Sequence, residues 1–386
     1  MFSFISLFSS FDNFCKPIIR PERDDYTFHD LGPSLFKIQN KSYKRTDFFL
    51  KNSRQLKIQC SFWEPIDEER ENKKLPCVIY LHGNSSSRCE VINYLKYFLY
   101  NNITILAFDF AGCGQSEGDY ISLGYYEQND IDCVINYLNK TKRVNRIGLW
   151  GRSMGAVTAI MYSCNNPNKI SGIVVDSPFY SLTRLIEELI KEKIKLMNDF
   201  ICDIIIKTIS NKIFEKYHFR IEILNTYLFA EKSHIPCLFC HATDDTFVNM
   251  NHCKDLFEIY AGDKKIIFVE GDHNSVRPKY LIKNIINFFF KLFEKKKKFV
   301  HSYSFVENIQ PIDIIEKLEK NKKDESNLEE EYFSDVGLKT IRKFQIKTKN
   351  DIDKEQIEEK NNIKYIQNLN NNKNKNLYYN INDFYD

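Results

Sequence analysis

The sequence predicts an α/β fold, a mostly parallel sheet of about eight strands with an antiparallel start and a helical cap insertion. Between residues 34 and 298, short apolar runs alternate with stretches of helical period. These runs are continuously apolar rather than alternating, which indicates strands covered by helices on both faces. Two alternating segments come first, at residues 43–50 and 55–63, and are typical of an antiparallel hairpin.

The elements after the hairpin follow in a regular order. Strands are predicted at residues 77–81, 103–108, 146–150, 170–175, 236–240 and 265–269. Helices are predicted between them, at residues 88–100, 124–140 and 153–164, in a stretch ending at residue 260, and at 278–298. Turn residues bound the strands, so each strand and its helix form a βαβ unit.

From residue 178 to residue 234 the alternation stops, and the chain has helical period and many Ile, Leu and Phe residues. An insertion after the carboxyl end of a strand lies over the edge of an open α/β sheet where ligands bind. We interpret 178–234 as a cap. The alternative is a pair of ordinary packing helices.

The composition is typical of a globular protein. The 386 residues suffice for one large core, and a net charge of +3 gives no argument for a nucleic-acid partner. The 11 cysteines do not suit the disulfide scaffold of a small secreted chain, so we expect most of them to be reduced in a cytoplasmic protein. No apolar run approaches the ~20 residues of a membrane-spanning helix.

The predicted domain, residues 34–298, lies between a leader (1–33) and a tail (299–386). The Phe-rich start of the leader lacks the basic region and cleavage site of a signal peptide. It is either a peripheral anchor at a membrane surface, helped by acylation of Cys15, or a segment that packs on the domain. The tail is charged and rich in Asn without an apolar stripe, so we expect it to be disordered.

The strongest chemical signal is a G-x-S-x-G motif formed by Gly151, Ser153 and Gly155, directly between a predicted strand and a predicted helix. On such a sharp turn a serine hydroxyl is presented above the sheet, and the flanking glycines avoid collisions with the neighbouring strand and helix. The start of the helix stabilises negative charge that develops there. The motif predicts Ser153 as a nucleophile.

A serine nucleophile needs a base and an acid, which in this arrangement follow it along the chain as acid and then histidine. His29 and His301 lie outside the predicted domain, and of the six histidines inside it His273 alone follows the last predicted strand, in a short Gly-containing loop. The acid belongs after the preceding strand, where Asp244 and Asp245 are neighbours and spacing does not choose between them. Asp176, one strand earlier, is a rival position.

An oxyanion hole needs two backbone N–H donors. One is predicted at Met154, directly after the nucleophile, and the other at Asn84, in the loop after strand 77–81. We expect Gly83 to permit the close approach of this loop. The glycine-rich loop at 109–118 matches neither G-x-G-x-x-G nor a Walker motif, and we interpret it as a structural turn.

Six motifs in this order, "LHGNSSS", "DFAGCGQSEG", "GRSMGA", "DSPF", "HATDDTFV" and "EGDHNS", resemble the BEM46-like α/β hydrolases. They are also similar to the serine-aminopeptidase-type hydrolases and to membrane-attached protein depalmitoylases of that superfamily. The resemblance covers residues 34–298 and implies an α/β-hydrolase fold. It aligns the acid of the family's H-G-x-x-D-x-x-V pattern with Asp245, with Ala242 replacing the glycine. The depalmitoylases carry several N-terminal cysteines, whereas this chain has only Cys15.

The motifs together predict a serine hydrolase that acts without a metal or organic cofactor. The apolar cap favours an ester or thioester of a lipid or acylated protein as its substrate. One alternative is a serine aminopeptidase, for which Glu187 and Glu188 are candidate anchors of a substrate amine. Another is a membrane-docked scaffold that retains the fold without turnover. The expected partner is a small-molecule or lipid acyl substrate and no nucleic acid; the sequence predicts no oligomeric state.

Overall fold

The structure is a computed structural model that describes residues 18–20, 22–193 and 198–294. Several predictions fall outside these residues: the apolar start of the leader with Cys15, the tail 299–386, and a four-residue part of the proposed cap. They remain predictions.

The described residues form one nine-stranded sheet in the order β1-β2-β3-β5-β4-β6-β7-β8-β9. Strands β1 to β3 and the β3–β5 pair are antiparallel, and every later pair is parallel. The strands are β1 Leu35–Ile38, β2 Lys41–Lys51, β3 Lys57–Pro65, β4 Leu75–Leu81, β5 Thr104–Phe108, β6 Val144–Arg152, β7 Gly172–Asp176, β8 Cys237–Ala242 and β9 Lys264–Val269. The predicted fold class is confirmed.

The hairpin at the start is formed by β2 and β3, whose register runs from Tyr43 opposite Pro65 to Lys51 opposite Lys57. Strand β1 was not predicted from the sequence. This strand has only four residues, and its pattern of exposed and buried side chains is irregular. A strand this short lacks the periodicity on which a prediction depends.

The helices lie between the strands, as predicted. They are α1 Leu95–Tyr100, α2 Glu127–Thr141, α3 Met154–Asn165, α4 Leu182–Lys193, α5 Asp199–Tyr217, α6 Thr226–Ala230, α7 Met250–Ile259 and α8 Lys279–Glu294. The segment predicted as a single helix at 88–100 begins as a 3₁₀ helix over Arg88–Tyr94, a common start for an α-helix.

Helices cover both faces of the parallel part of the sheet. The core on one face includes Val134 of α2 and Ile160 of α3, while the core on the other includes Phe98 of α1 and Ile285 of α8. All five residues of β5 and of β7 are buried. Two-sided burial is the physical reason for the continuous apolar runs in the sequence.

The insertion at 178–234 contains α4, α5 and α6, and backbone hydrogen bonds join its two ends. The N–H of Leu182 donates to the carbonyl of Leu224 (3.0 Å), and the N–H of Tyr227 donates to that of Tyr180 (3.2 Å). On α5, Phe200 and Ile204 are 72% and 44% exposed, so this helix presents an apolar surface to solvent. The division of the chain into leader, cap and tail remains a prediction.

The described part of the leader packs on the loops that follow β4 and β5. The Tyr26 hydroxyl donates to Asp109 (2.6 Å), and the Ser87 hydroxyl donates to Asp24 (2.6 Å). Leu31 is 1% exposed. The anchor hypothesis therefore concerns the residues before 18. Within the described ranges, no helix combines the length and apolarity that crossing a membrane requires.

Candidate active site

Ser153 lies at the sharp turn between β6 and α3, with φ 50° and ψ −113°. A positive φ is strained for a residue with a side chain, and such strain is concentrated at functional sites. The flanking glycines make the turn sterically feasible. A Cβ on Gly151 would lie 2.2 Å from the Gly155 carbonyl oxygen, and a Cβ on Gly155 would lie 2.1 Å from that of Leu81.

The structure brings three of the predicted side chains into one hydrogen-bonded row. His273 Nε2 lies 3.1 Å from Ser153 Oγ, and His273 Nδ1 lies 2.6 Å from Asp245 Oδ2. The Asp245 side chain is fully buried, and the His273 side chain is 14% exposed. An ionised carboxylate only accepts hydrogen bonds, so Nδ1 donates to it and Nε2 is left to accept from the serine hydroxyl. This is the geometry of an activated hydroxyl.

Further donors surround the Asp245 carboxylate. The backbone N–H groups of Phe247 and Val248 donate to its Oδ1 at 3.0 and 2.8 Å. His241 Nε2 lies 3.3 Å from its Oδ2 and 2.8 Å from the Val248 carbonyl oxygen, so this nitrogen carries the proton. Burial raises the pKa of Asp245, but hydrogen bonds from His241 and His273 outweigh it and hold that pKa well below its usual range.

This lowered pKa predicts a pH-dependent contribution to stability. A carboxyl with a depressed folded-state pKa stabilises the fold above its unfolded pKa of about 3.9, and the contribution is lost as pH falls below that value. We expect the difference in free energy of unfolding between wild type and Asp245→Asn to shrink between about pH 5 and pH 3. Urea unfolding across this range measures it, and a constant difference would contradict the expectation.

The two rival carboxylates are engaged elsewhere. Asp244 is exposed and accepts from the Gly271 N–H (3.2 Å). Asp176 is buried and forms a two-pronged ion pair with Arg277, whose Nε and Nη2 lie 2.7 and 3.0 Å from its carboxylate oxygens. Of the three candidate acids, only Asp245 lies beside His273.

Arg277 was not identified from the sequence. Besides binding Asp176, it donates through Nη1 to the carbonyls of Asp272 (3.2 Å) and Ser275 (3.1 Å), and so holds the loop that carries His273. Its position four residues after His273 was the only signal in the sequence, and a charged residue near a loop is too common to be informative.

Two other histidines in the domain have structural partners. His82 Nε2 accepts from the Phe110 N–H (3.0 Å), and its Nδ1 donates to the Gly83 carbonyl (2.7 Å). His252 accepts from the Tyr180 N–H (3.0 Å) and lies 2.9 Å from Glu188. They fasten the loops that follow β4, β5 and β7.

The predicted oxyanion donors are the backbone N–H groups of Met154 and Asn84. Met154 is the first residue of α3, where backbone N–H groups have no partner within the helix. Asn84 lies in the loop after β4, which passes close to the nucleophile. A Cβ on Gly83 would lie 3.9 Å from the Ser153 Cβ, an ordinary van der Waals contact. A small side chain at position 83 would therefore also fit, so the close approach of this loop does not depend on a glycine there.

The loop at 109–118 is organised around a buried carboxylate. Asp109 accepts from the Arg88 N–H (2.8 Å), the Gln115 N–H (2.9 Å) and the Tyr26 hydroxyl (2.6 Å). A loop that wraps around a negative charge does not suit a phosphate, in agreement with its interpretation as a turn.

A C-x-x-C-H spacing from Cys237 to His241 was not recognised in the sequence. Such a spacing is typical of haem attachment. The five residues lie in β8, where residues three apart face opposite sides of a sheet. Accordingly, Cys237 and Cys240 belong to the cores on opposite faces. These residues do not fit a haem. Among the described residues, no group of three or more His, Cys, Asp or Glu could hold a metal ion.

Comparison with known proteins agrees with this architecture. Residues 72–225 match the family model described as serine aminopeptidase, S33. The chain is 27% identical over 202 residues to the uncharacterized protein YqkD of Bacillus subtilis (51% of this chain, 64% of that protein). It is 24% identical over 204 residues to a lysophosphatidylserine lipase of Danio rerio (50% of this chain, 49% of that protein). The chain thus spans less than two thirds of the length of both relatives.

Among solved structures, an esterase of Pyrococcus furiosus superposes with a TM-score of 0.53 at 21% identity, covering 70% of this chain and 97% of that one. The similarity shows the α/β-hydrolase fold. The family model and the lipase relative support a hydrolase.

Proposed function

From the α/β-hydrolase fold and the row of side chains at its edge, we propose that the protein is a serine hydrolase that cleaves a carboxylic ester or thioester through an acyl-enzyme. The single observation that supports this most is the continuous hydrogen bonding from Ser153 through His273 to Asp245, at 3.1 and 2.6 Å. A serine with a strained backbone, placed directly before the first residue of a helix, is the kind of nucleophile that this chemistry requires.

In the proposed mechanism, His273 removes the Ser153 proton while Ser153 Oγ attacks the substrate carbonyl. The N–H groups of Met154 and Asn84 stabilise the tetrahedral oxyanion. His273 then protonates the leaving group, and the same imidazole activates the water that releases the acid. The buried Asp245 carboxylate orients the ring and stabilises the imidazolium.

We propose a lipophilic acyl substrate, a lipid or an acylated protein. The insertion follows β7, one of the strands whose carboxyl ends form the site edge, and α5 of that insertion exposes Phe200 and Ile204. The resemblance to BEM46-like hydrolases and depalmitoylases, and a relative named as a lysophosphatidylserine lipase, favour the same substrate class.

The aminopeptidase alternative has less support because its candidate anchors already have cationic partners. Glu187 forms an ion pair with Lys191 (2.6 Å). Glu188 forms an ion pair with Arg184 (2.9 Å). It also lies 2.9 Å from His252, which pairs with it as an ion when the imidazole is protonated. A substrate amine would have to displace these partners.

A fluorophosphonate probe, which reacts only with activated serines, tests the proposal against an idle scaffold. We expect covalent labelling of wild type and none of Ser153→Ala. The matched control is Ser163→Ala, which removes a buried hydroxyl from the same helix, bonded only to the Ile160 carbonyl (3.1 Å). It should label like wild type. Labelling of Ser153→Ala, or no labelling of folded wild type, would refute the proposal.

A further inference from the structure

A second buried ion pair lies beside the proposed nucleophile. Arg152, between Gly151 and Ser153, places Nη1 2.8 Å from Glu90 Oε1. The two side chains are only 9% and 12% exposed. Glu90 belongs to the 3₁₀ helix that follows the loop of Asn84. The pair therefore joins two elements that are 62 residues apart in the chain.

Each partner uses its other end to hold a loop of the site. Glu90 Oε2 accepts from the N–H of Gly83 (3.0 Å), directly before Asn84. Arg152 Nη2 donates to the main-chain carbonyl of His273 itself. The contacts run from the oxyanion loop through Glu90 and Arg152 to the histidine loop.

We propose that Glu90 and Arg152 are positioning residues, which set the oxyanion loop and the His273 ring at their working distances from Ser153. This inference rests on the proposed serine hydrolase function. Neither side chain needs to touch the substrate for this role.

The chemistry of the pair favours positioning over stability. A buried ion pair gains little net stability, because desolvation of both charges offsets their attraction. A guanidinium, however, is a rigid planar donor that can bind two acceptors in a fixed geometry. Arg277 fastens the same loop at the Asp272 and Ser275 carbonyls, whereas Arg152 bonds the carbonyl of the residue that carries the imidazole.

A displaced imidazole should affect substrates unequally. An ethyl ester needs a proton delivered to its leaving alkoxide, whereas a p-nitrophenyl ester releases a stable phenolate that needs none. A variant that is only partly folded would lose both activities by the same factor. The ratio of the two rates is therefore a readout that a purely structural role would not change.

The experiment compares kcat/KM of wild type and Arg152→Met on ethyl and p-nitrophenyl esters of one acid, because kcat/KM reports the acylation step. We expect a fall of about 100-fold for the ethyl ester and about 10-fold for the p-nitrophenyl ester. Arg152→Lys keeps the charge opposite Glu90 but cannot bond both acceptors. We therefore expect its kcat/KM also to fall more for the ethyl ester than for the p-nitrophenyl ester, but by smaller factors. This variant also serves if Arg152→Met does not fold.

The matched control is Arg70→Met, which breaks the ion pair of Arg70 with Glu64, whose side chains are 6% and 4% exposed. Glu64 lies in the antiparallel β3, and we expect both esters to change by one common factor. The inference would be overturned if Arg152→Met and Arg152→Lys each lost activity on the two esters by the same factor, or lost no activity on either ester. Absence of probe labelling in wild type would instead refute the proposed function, so the two failures are distinguishable.

Discussion

Replacing Ser153, His273 or both by alanine is expected to lower kcat on an ester by about the same factor, on the order of 10⁶. The two side chains act as one unit, since an imidazole without the hydroxyl has no nucleophile to activate. Likewise, a hydroxyl without the imidazole is almost unreactive at neutral pH. The residual rate should come from the oxyanion donors and from substrate binding alone.

The measurement is hydrolysis of a p-nitrophenyl ester by the two single variants and the double variant, each checked for folding by circular dichroism. His218→Ala is a suitable control, because His218 is exposed at the end of α5. It should retain wild-type activity. If the double variant lost the product of the two single factors, the side chains would be acting independently, contrary to the proposal.

Asp245→Asn is expected to lower kcat by about 10⁴-fold with little change in the fold. The amide would no longer hold His273 with its proton on Nδ1, so Nε2 would not face the serine as an acceptor. Asp244→Asn is the matched control, since it changes the neighbouring carboxylate, which is exposed and bonded to the Gly271 N–H. We expect its kcat to stay close to wild type.

Steady-state kinetics on the two variants decides between adjacent residues that spacing alone did not separate. A large loss in Asp244→Asn with normal activity in Asp245→Asn would reverse the assignment. Comparable losses in both would indicate a loop that tolerates no change of charge, rather than one orienting carboxylate.

The fold class was predictable because the burial of a strand determines which of its positions must be apolar. Strands covered on both faces must be continuously apolar, and the chain shows such runs at every parallel strand from β4 to β9. The four-residue β1 is too short to show such an apolar run. Ser153 and His273 were identified as candidates for the same reason, because each follows a recognisable strand.

The sequence alone determined the fold class, the order of the elements and which serine and histidine end up at one edge of the sheet. Local periodicity and turn residues carry that information. Spacing left Asp244 and Asp245 open and the family resemblance favoured Asp245, but only the tertiary structure shows that carboxylate beside His273. Only the tertiary structure shows which side chains hold the loops. Arg152 and Arg277 bond partners up to 121 residues away. The partner of a charged side chain can be identified only in the folded chain, because an interaction between two distant side chains produces no periodic pattern in the sequence of either segment.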